Sequence, residues 1–227
     1  MPGPLAELEA LADPERAGEM AAYHKAPRRY LGVAVPQIEA LVADWRAERD
    51  VAGRVRLAAE LWDSDVHEAR IAAAKLLTQA RIPESEPLVW DEFRRWVPGF
   101  DAWAIADHAC KAGKRRLVAG PARLDVVEGW IHDPGMWVRR AALVATLPWT
   151  KQNHPSREET AARERILGWA AALVSDRDWF IQKAIGWWLR SLSVHDPERV
   201  RAFLAGPGAE LKPFALREAT RRLPPAS

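Results

Sequence analysis

The feature of this sequence that most constrains its fold is an acidic residue followed seven positions later by a cation, repeated along the chain. Each acid ends one apolar run and precedes another. Seven residues make two helical turns, so acid and cation lie on about the same side of a helix. The pairs are Asp63 and Arg70, Asp133 and Arg140, Asp176 and Lys183, and Glu210 and Arg217. With Asp101 and His108 inside the one double gap, the period is roughly 32–43 residues, which is typical of two-helix repeats that stack into a solenoid.

The apolar periodicity around these acids predicts helix after helix and no convincing strand. An amphipathic segment from Pro36 to Arg46 comes first. Five helix pairs follow, at 50–62 with 66–79, 86–97 with 102–112, 121–132 with 136–147, 157–174 with 178–193, and 197–205 with 211–223. Asp63 or Asp65 is expected to cap the second helix of the first of these pairs. No linker divides the chain, so we predict a single domain over residues 1–227, an all-α curved solenoid of helix pairs.

The composition excludes several classes of protein. No run of about 18 apolar residues is present, so no membrane span is expected. The N-terminal residues lack the charged-then-apolar order of a secretory signal. The single cysteine, Cys110, forbids an internal disulfide and suits a reducing cytoplasm. The six histidines are scattered, without the Cys/His spacing of a metal site. We therefore expect a cytoplasmic protein that needs no metal and no cofactor.

The distribution of charge is more informative than the formal net charge of +2. The predicted second helices carry many cations, whereas the first helices carry more of the acids. Second helices of such pairs usually line the concave surface, so we expect a basic trough that can hold a nucleic-acid backbone. The candidate DNA-binding residues are Arg139, Arg140, Lys183 and Arg190. The alternative is that the acid–cation pairs only tie neighbouring repeats together, which we favour for the first and the last pair.

Two of the predicted second helices combine tryptophan with residues that are unusual inside a helix. Trp103 and Asp107 are four apart and project from one face, although aspartate has a poor helix propensity. Gly186, beside Trp187, costs about 1 kcal/mol of helix stability against alanine, which suggests close approach by a neighbouring helix or a ligand. The alternative is structural: most of the twelve tryptophans are expected in the core, and Asp107 can pair with Lys111 one turn on.

Four parts of the sequence, taken in order, resemble the AlkD family of DNA alkylation repair glycosylases, which are built of HEAT-like repeats. They are Tyr23-His24-Lys25 with Leu31-Gly32-Val33, Trp103 with Asp107, Trp137-Val138-Arg139-Arg140, and Phe180-Ile181-Gln182-Lys183-Ala184-Ile185-Gly186-Trp187. The last is the most specific, and the resemblance spans residues 23 to about 222. Two positions depart from the family: Arg28-Arg29-Tyr30 replaces a more apolar, Phe-containing stretch, and Ala104 stands where the motif commonly reads Trp-Asp-x-x-Asp.

The resemblance implies a monomeric DNA N-glycosylase that excises the cationic bases N3-methyladenine and N7-methylguanine from double-stranded DNA, in base excision repair at the nucleoid. It assigns Trp103, Asp107 and Trp187 to catalysis and Tyr23 to substrate binding. Arg140 would be the cation nearest the phosphates of the lesion. The resemblance also implies that the trough grips the DNA backbone while the damaged base stays largely stacked, instead of being flipped into a pocket as is general for glycosylases.

The chemistry of such lesions agrees with these residue types. The leaving base already carries a positive charge, so it needs no general acid, and a carboxylate can stabilise the oxocarbenium-like sugar. Two other functions stay open: a catalytically silent HEAT-repeat protein that binds damaged or branched DNA, and a protein-interaction solenoid. Asp107 favours the enzyme over the silent binder, because a pure DNA binder gains nothing from an anion, and the concave cations argue against the third.

Overall fold

The computed structural model describes residues 2–82 and 86–225. Its regular structure consists of helices, and within the described residues the only strand-like pairing is one isolated bridge between Arg29 and Val66. The all-α class expected from the sequence is therefore confirmed. No helix in this part of the chain is both long and apolar enough to cross a membrane. The chain forms two compact units, residues 1–119 and 120–227. That the two make a single domain stays a prediction.

The first unit is an array of helices in which the third, fourth and fifth each pack against the helix two positions further along the chain. Its helices, within the described residues, are α1 (Pro4–Glu9), α2 (Pro14–His24), α3 (Val35–Ala47), α4 (Val51–Asp63), α5 (His67–Leu77), α6 (Glu86–Trp96) and α7 (Trp103–Ala119). Helix α5 packs against α3, α4 and α7, and α6 packs against α4 and α7. The helices α3, α5 and α7 therefore lie side by side and form one face of this unit.

The second unit repeats the pattern. Its helices, again for the described residues, are α8 (Leu124–Trp130), α9 (Met136–Ala145), α10 (Arg157–Ala172), α11 (Trp179–Leu192), α12 (Pro197–Ala205) and α13 (Pro213–Thr220). Helix α11 packs against both α9 and α13. Ser156 and Glu159 form a capping box at the start of α10, since each side chain accepts a backbone N–H of the other residue. The five predicted pairs thus correspond to five observed pairs, with ends that differ by a few residues.

The repeated acids lie just before the second helices, but the side chains of Asp63, Asp133, Asp176 and Glu210 do not cap them. Asp133, Asp176 and Glu210 each stand three residues before the first residue of α9, α11 and α13. The prediction that Asp63 or Asp65 caps α5 is wrong, because the N-cap residue is Val66 and no side chain caps this helix. The Asp65 carboxylate binds the guanidinium of Arg70 instead, at 3.0 Å.

Acid–cation pairs connect neighbouring repeats, but the acids bind cations other than those seven residues later in the chain. Arg70 binds Asp65 and donates to the Trp62 carbonyl oxygen at 3.1 Å, while Asp63 accepts from Arg95 of α6 at 2.8 Å. Similarly, Asp176 accepts from Arg139 of the preceding pair at 2.9 Å. The expectation that Asp63 pairs with Arg70 is therefore corrected: the acid reaches a cation of the next repeat.

Most of the tryptophans are buried, as the sequence predicted, and the N–H groups of two of them donate to carboxylates on other helices. The rings of Trp62 and Trp96 stack with centroids 4.4 Å apart, which joins α4 to α6. Trp45 donates to Glu7 at 2.7 Å and Trp169 donates to Glu128 at 2.8 Å. The buried tryptophans are Trp45, Trp62, Trp90, Trp96, Trp149, Trp169 and Trp188. Large rings thus fill the contacts between stacked helices, and the Trp188 N–H is buried without a hydrogen-bond partner within the described residues.

Gly186 marks the closest approach of α11 to α13. A Cβ atom at this position would lie 2.8 Å from the Ala215 carbonyl oxygen, so the close approach inferred from the sequence is that of a helix. Gly186→Ala is therefore expected to destabilise the protein by about 1–3 kcal/mol, because a backbone atom must move. The matched control is Gly168→Ala in α10, where a Cβ meets nothing within 4 Å and about 1 kcal/mol of stabilisation is expected. Denaturant unfolding checks both, and equal effects of the two substitutions would contradict the packing argument.

Candidate functional site

In the first unit, two of the sequence-predicted site residues come together. Tyr23 near the end of α2 and Trp103 at the start of α7 meet edge to face, with ring centroids 6.1 Å apart. The Tyr23 residue is 69% exposed, although large apolar side chains are normally covered, while Trp103 is half-buried. Asp107 follows one turn later on α7 and is half-buried. The three residues therefore belong to one region of the unit, as the resemblance implied.

The rings of His24, His67 and Tyr30 pack in sequence against the Tyr23–Trp103 pair. The His24 ring lies 5.0 Å from that of Tyr23 and 5.4 Å from that of Trp103. On its other side it lies 4.5 Å from the fully buried His67 ring, which in turn packs 4.7 Å from Tyr30. Five rings thus run from solvent into the core, and the deeper ones fix the position of the exposed ones.

The two histidines of this stack are neutral near pH 7. Burial lowers the pKa of His67 to about 3, and the neighbouring His24 and Arg28 add to the effect. Burial also lowers the pKa of His24, although the Glu68 carboxylate opposes it. Neither ring nitrogen of His67 has a hydrogen-bond partner within the described part of the chain, so a proton there would have no acceptor to stabilise it. The exposed aromatic pair therefore rests on an uncharged support.

A buried arginine holds the start of α7 in place. The Arg28 side chain is 1% exposed and lies between two carboxylates, Asp65 at 3.5 Å and Asp101, which accepts a hydrogen bond from it. Asp101 precedes Trp103 by two residues. Arg28 belongs to the stretch in which this sequence departs from the family, so a charged clamp here replaces apolar packing. We refer to Arg28, Asp65 and Asp101 as the Arg28 clamp.

The segment that carries the clamp is itself anchored by a buried carboxylate. Glu68 is fully buried and accepts hydrogen bonds from the backbone N–H groups of Leu31 and Gly32, at 2.9 and 2.7 Å. Gly32 adopts a φ of 79°, and a Cβ at this position would lie 2.2 Å from the Asp13 carbonyl oxygen. Glycine is required there by both the left-handed backbone and the lack of space.

Ala104 occupies a position where the family motif commonly carries an aspartate, and the structure places it inside. Only 5% of Ala104 is exposed, and Ile105 and Ala106 beside it are also buried. A carboxylate at position 104 of this chain would have to be taken out of water, which is costly without a partner. The residue that differs from the motif, Ala104, therefore lies on the side of α7 that faces the core. Trp103 and Asp107 are half-buried.

In the second unit, the predicted DNA-binding cations differ in how accessible they are. Arg140 is 4% exposed, with its guanidinium 5.7 Å from the centre of the Trp137 ring. Arg139 pairs with Asp176, and Arg190 pairs with Glu218. Lys183 is exposed and its ammonium lies 4.5 Å from the centre of the Trp179 ring. Trp187, on α11, is half-buried. A role of these residues in DNA contact or catalysis stays a prediction.

Sequence reasoning assigned no role to several residues that shape the first-unit site, namely His24, His67, Arg28 and Glu68. His24 and Arg28 stood in segments that were compared with the family, but their partners lie 43 and 73 residues away, and no local pattern indicates such contacts. Within the described residues, no group of three or more histidine, cysteine or acidic side chains is arranged to hold a metal ion.

Comparison with known proteins agrees with the resemblance drawn from the sequence. A solved structure from Enterococcus faecalis, described as a "Predicted DNA alkylation repair enzyme", is 24% identical, with a TM-score of 0.77, and the match covers 95% of this chain and 98% of that one. AlkD2 from Streptococcus mutans is 18% identical, with a TM-score of 0.61, and 93% and 99% of the two chains are covered. The smu.31 protein of the same organism is 20% identical, with a TM-score of 0.62 and coverage of 84% and 93%.

At these identities the solved structures show a shared fold, and they agree with the helix pairs described above. No curated protein matches the chain. The family itself is shown by a model described as "DNA alkylation repair enzyme", which matches residues 5–223 and so nearly the whole sequence. The chain therefore belongs to the DNA alkylation repair enzyme family.

Proposed function

We propose that this protein is a DNA N-glycosylase that removes cationic alkylated bases, N3-methyladenine and N7-methylguanine, from double-stranded DNA. The observation that carries the proposal is the ring pair of Tyr23 and Trp103 in the first unit, with the carboxylate of Asp107 one turn along the same helix. An exposed tyrosine ring against a half-buried tryptophan, with an acid one turn along, suits a substrate that is flat and positively charged.

The ring pair supplies attraction for the cationic base. A cation over a tyrosine or tryptophan face gains roughly 0.5–2 kcal/mol, and the gain is largest where water is excluded. The supporting imidazoles matter to this attraction, since a charged His24 would place a competing cation 5.4 Å from the Trp103 ring. Because burial keeps the pKa of His24 and His67 low, the support is neutral at physiological pH and does not repel the lesion.

Asp107 supplies the negative charge that the reaction needs. When the bond between the base nitrogen and C1′ breaks, its electron pair moves to the base and neutralises it, and positive charge develops on the deoxyribose. A carboxylate near C1′ stabilises that charge and can orient the water molecule that adds to C1′ and releases its proton. The base leaves as a neutral molecule, so the proposal needs no residue that protonates it.

The residues of the second unit enter the proposal through the sequence match. Trp187 lies in the most specific of the matching segments, and we propose it as a further ring against the lesion nucleotide. Of the four candidate DNA-binding cations, Lys183 is exposed and directly available to a phosphate, whereas Arg139 and Arg190 already have carboxylate partners. Arg140 packs on Trp137, and we propose that it keeps this ring and the start of α9 in position.

The proposal is tested by incubating the purified protein with duplex DNA that carries N7-methylguanine and measuring the free base. Release by the wild type is expected, with Tyr23→Ala slower by about 2- to 30-fold, the equivalent of one cation–π contact. The matched control is Tyr23→Phe, which keeps the ring and should stay near the wild-type rate. DNA that is bound without any release of base would show that the chain is instead the silent binder of damaged DNA.

A further inference from the structure

The first unit carries a second polar surface, on the face formed by α3, α5 and α7. A pocket of about 400 Å³ opens there between the three helices. Its charged lining consists of Glu39 and Arg46 from α3, Lys75 from α5 and Lys111 from α7. Three cations therefore surround one carboxylate, and none of the four was assigned to DNA binding or catalysis by the resemblance.

The carboxylate does not neutralise the pocket. Glu39 accepts from the Lys75 ammonium at 2.6 Å, so this pair is compensated, and proximity to that lysine lowers the pKa of the Glu39 carboxyl. Arg46 is engaged with the carbonyl oxygens of Lys75 and Leu76, which are at the end of α5. Lys111 is exposed and forms no ion pair with any residue in the described ranges. The pocket therefore keeps an excess of positive charge, most accessible at Lys111.

The half-buried His108, which interacts with the charged residues of the pocket, contributes no compensating charge. His108 faces Glu39 from α3, Lys75 from α5 and Lys111 on its own helix. Burial, with Lys111 and Lys75, lowers the pKa of His108 to about 4, although Glu39 opposes the effect. Its Nδ1 atom has no hydrogen-bond partner in the part of the chain that the structure describes. The ring is neutral at physiological pH, so the local field is that of the surrounding lysines.

The position of the pocket relative to Asp107 indicates what it binds. Lys111 follows Asp107 by four residues on α7, which places it about 6 Å further along the same side of the helix. Each strand of duplex DNA carries one negative charge per roughly 3.4 Å of axis, so a strand whose sugar lies at Asp107 has phosphates within reach of Lys111. We propose that this pocket, through Lys111, binds a phosphodiester of the DNA strand next to the lesion. The inference rests on the proposed function for the location of the sugar.

Salt dependence of binding to undamaged duplex DNA tests the inference without any catalytic step. Each neutralised phosphate contributes a slope of about −0.9 to log K against log salt. Lys111→Gln is expected to flatten the slope by about that amount and to weaken binding roughly 8-fold at 0.1 M salt. Arg56→Gln is the matched control, since it removes an exposed cation from α4, a first helix outside this face, and should leave the slope unchanged. Glu39→Gln should strengthen binding, because it removes a carboxylate that lines the pocket.

Two outcomes would overturn the inference. One is a slope that is equal in the wild type, Lys111→Gln and Arg56→Gln. The other is tight binding of inorganic phosphate that is lost in Lys111→Gln while the DNA slope stays unchanged, which would make the pocket a site for a free phosphate. Base release from N7-methylguanine DNA, measured separately on the wild type, decides the glycosylase proposal. A changed slope without base release would therefore retain the phosphate contact and reject only the catalysis.

Discussion

Asp107→Asn is expected to lower the rate of N7-methylguanine excision by about 10²-fold or more. The substitution keeps the size of the side chain and much of its hydrogen bonding, but it removes the negative charge that the sugar cation needs. The loss of one well-placed electrostatic group costs enzymes about this factor. Single-turnover release of the base measures it. Affinity for DNA should stay equal or rise, because an anion near phosphates is gone.

The control for this substitution is Asp91→Asn, which changes an exposed aspartate on α6 that pairs with Arg94 at the surface. It should leave excision unchanged. Thermal melting of both variants separates a catalytic effect from a loss of folded protein. If Asp107→Asn excises the base at the wild-type rate while remaining folded, the carboxylate is structural and the site has been assigned to the wrong residue.

Mild acid is expected to destabilise the first unit strongly through His67. In the folded state burial lowers the pKa of His67 to about 3, against 6.5 for the exposed group. Between these values the unfolded chain binds a proton that the folded protein does not, so stability falls as the pH falls. The full difference is on the order of 5 kcal/mol, and roughly 2 kcal/mol of it appears between pH 6.5 and 4.5, before most carboxylates titrate.

His67→Phe separates this effect from other sources of acid sensitivity. The substitution keeps a ring in the stack between His24 and Tyr30 but removes the titrating nitrogens, neither of which has a hydrogen-bond partner within residues 2–82 and 86–225. Urea unfolding of the variant should depend less on pH between 6.5 and 4.5 than that of the wild type, and the dependence that remains is expected from His108, whose pKa is also lowered by burial, to about 4. His132→Phe, at an exposed position, should retain the wild-type dependence. Parallel curves for all three proteins would exclude His67 as the cause.

The helix pairs were predictable because their signal is local and repeated. The apolar period, the prolines and the recurring acids each report on a few neighbouring residues, and the same signal occurs five times. The spacing of seven was nevertheless misleading about contacts. It fits an acid and a cation on one helix, but in the stack an adjacent repeat offers a nearer cation, so Asp63 binds Arg95 and Asp176 binds Arg139.

The candidate site was predictable only in part. The spacing of Trp103 and Asp107 placed them on one side of a helix, and the resemblance added Tyr23, which the structure brings within 6.1 Å of Trp103. The support beneath them was not accessible to such reasoning. Whether a histidine is a solvated base or a neutral packing element depends on burial, which is decided by residues from three separate helices. His67 appears in the sequence as an ordinary polar residue at a helix start, yet it is fully buried.

The Arg28 clamp has a consequence for local opening of the protein. Fraying of the first turn of α7 takes Asp101 away and leaves the buried Arg28 with Asp65 alone, so it is disfavoured while Arg28 stays in place. We therefore expect opening of this turn to be coupled to detachment of the loop around residues 26–32. Amide hydrogens early in α7 should consequently exchange together with those of that loop, which couples the start of this helix to a segment more than 70 residues away in the chain.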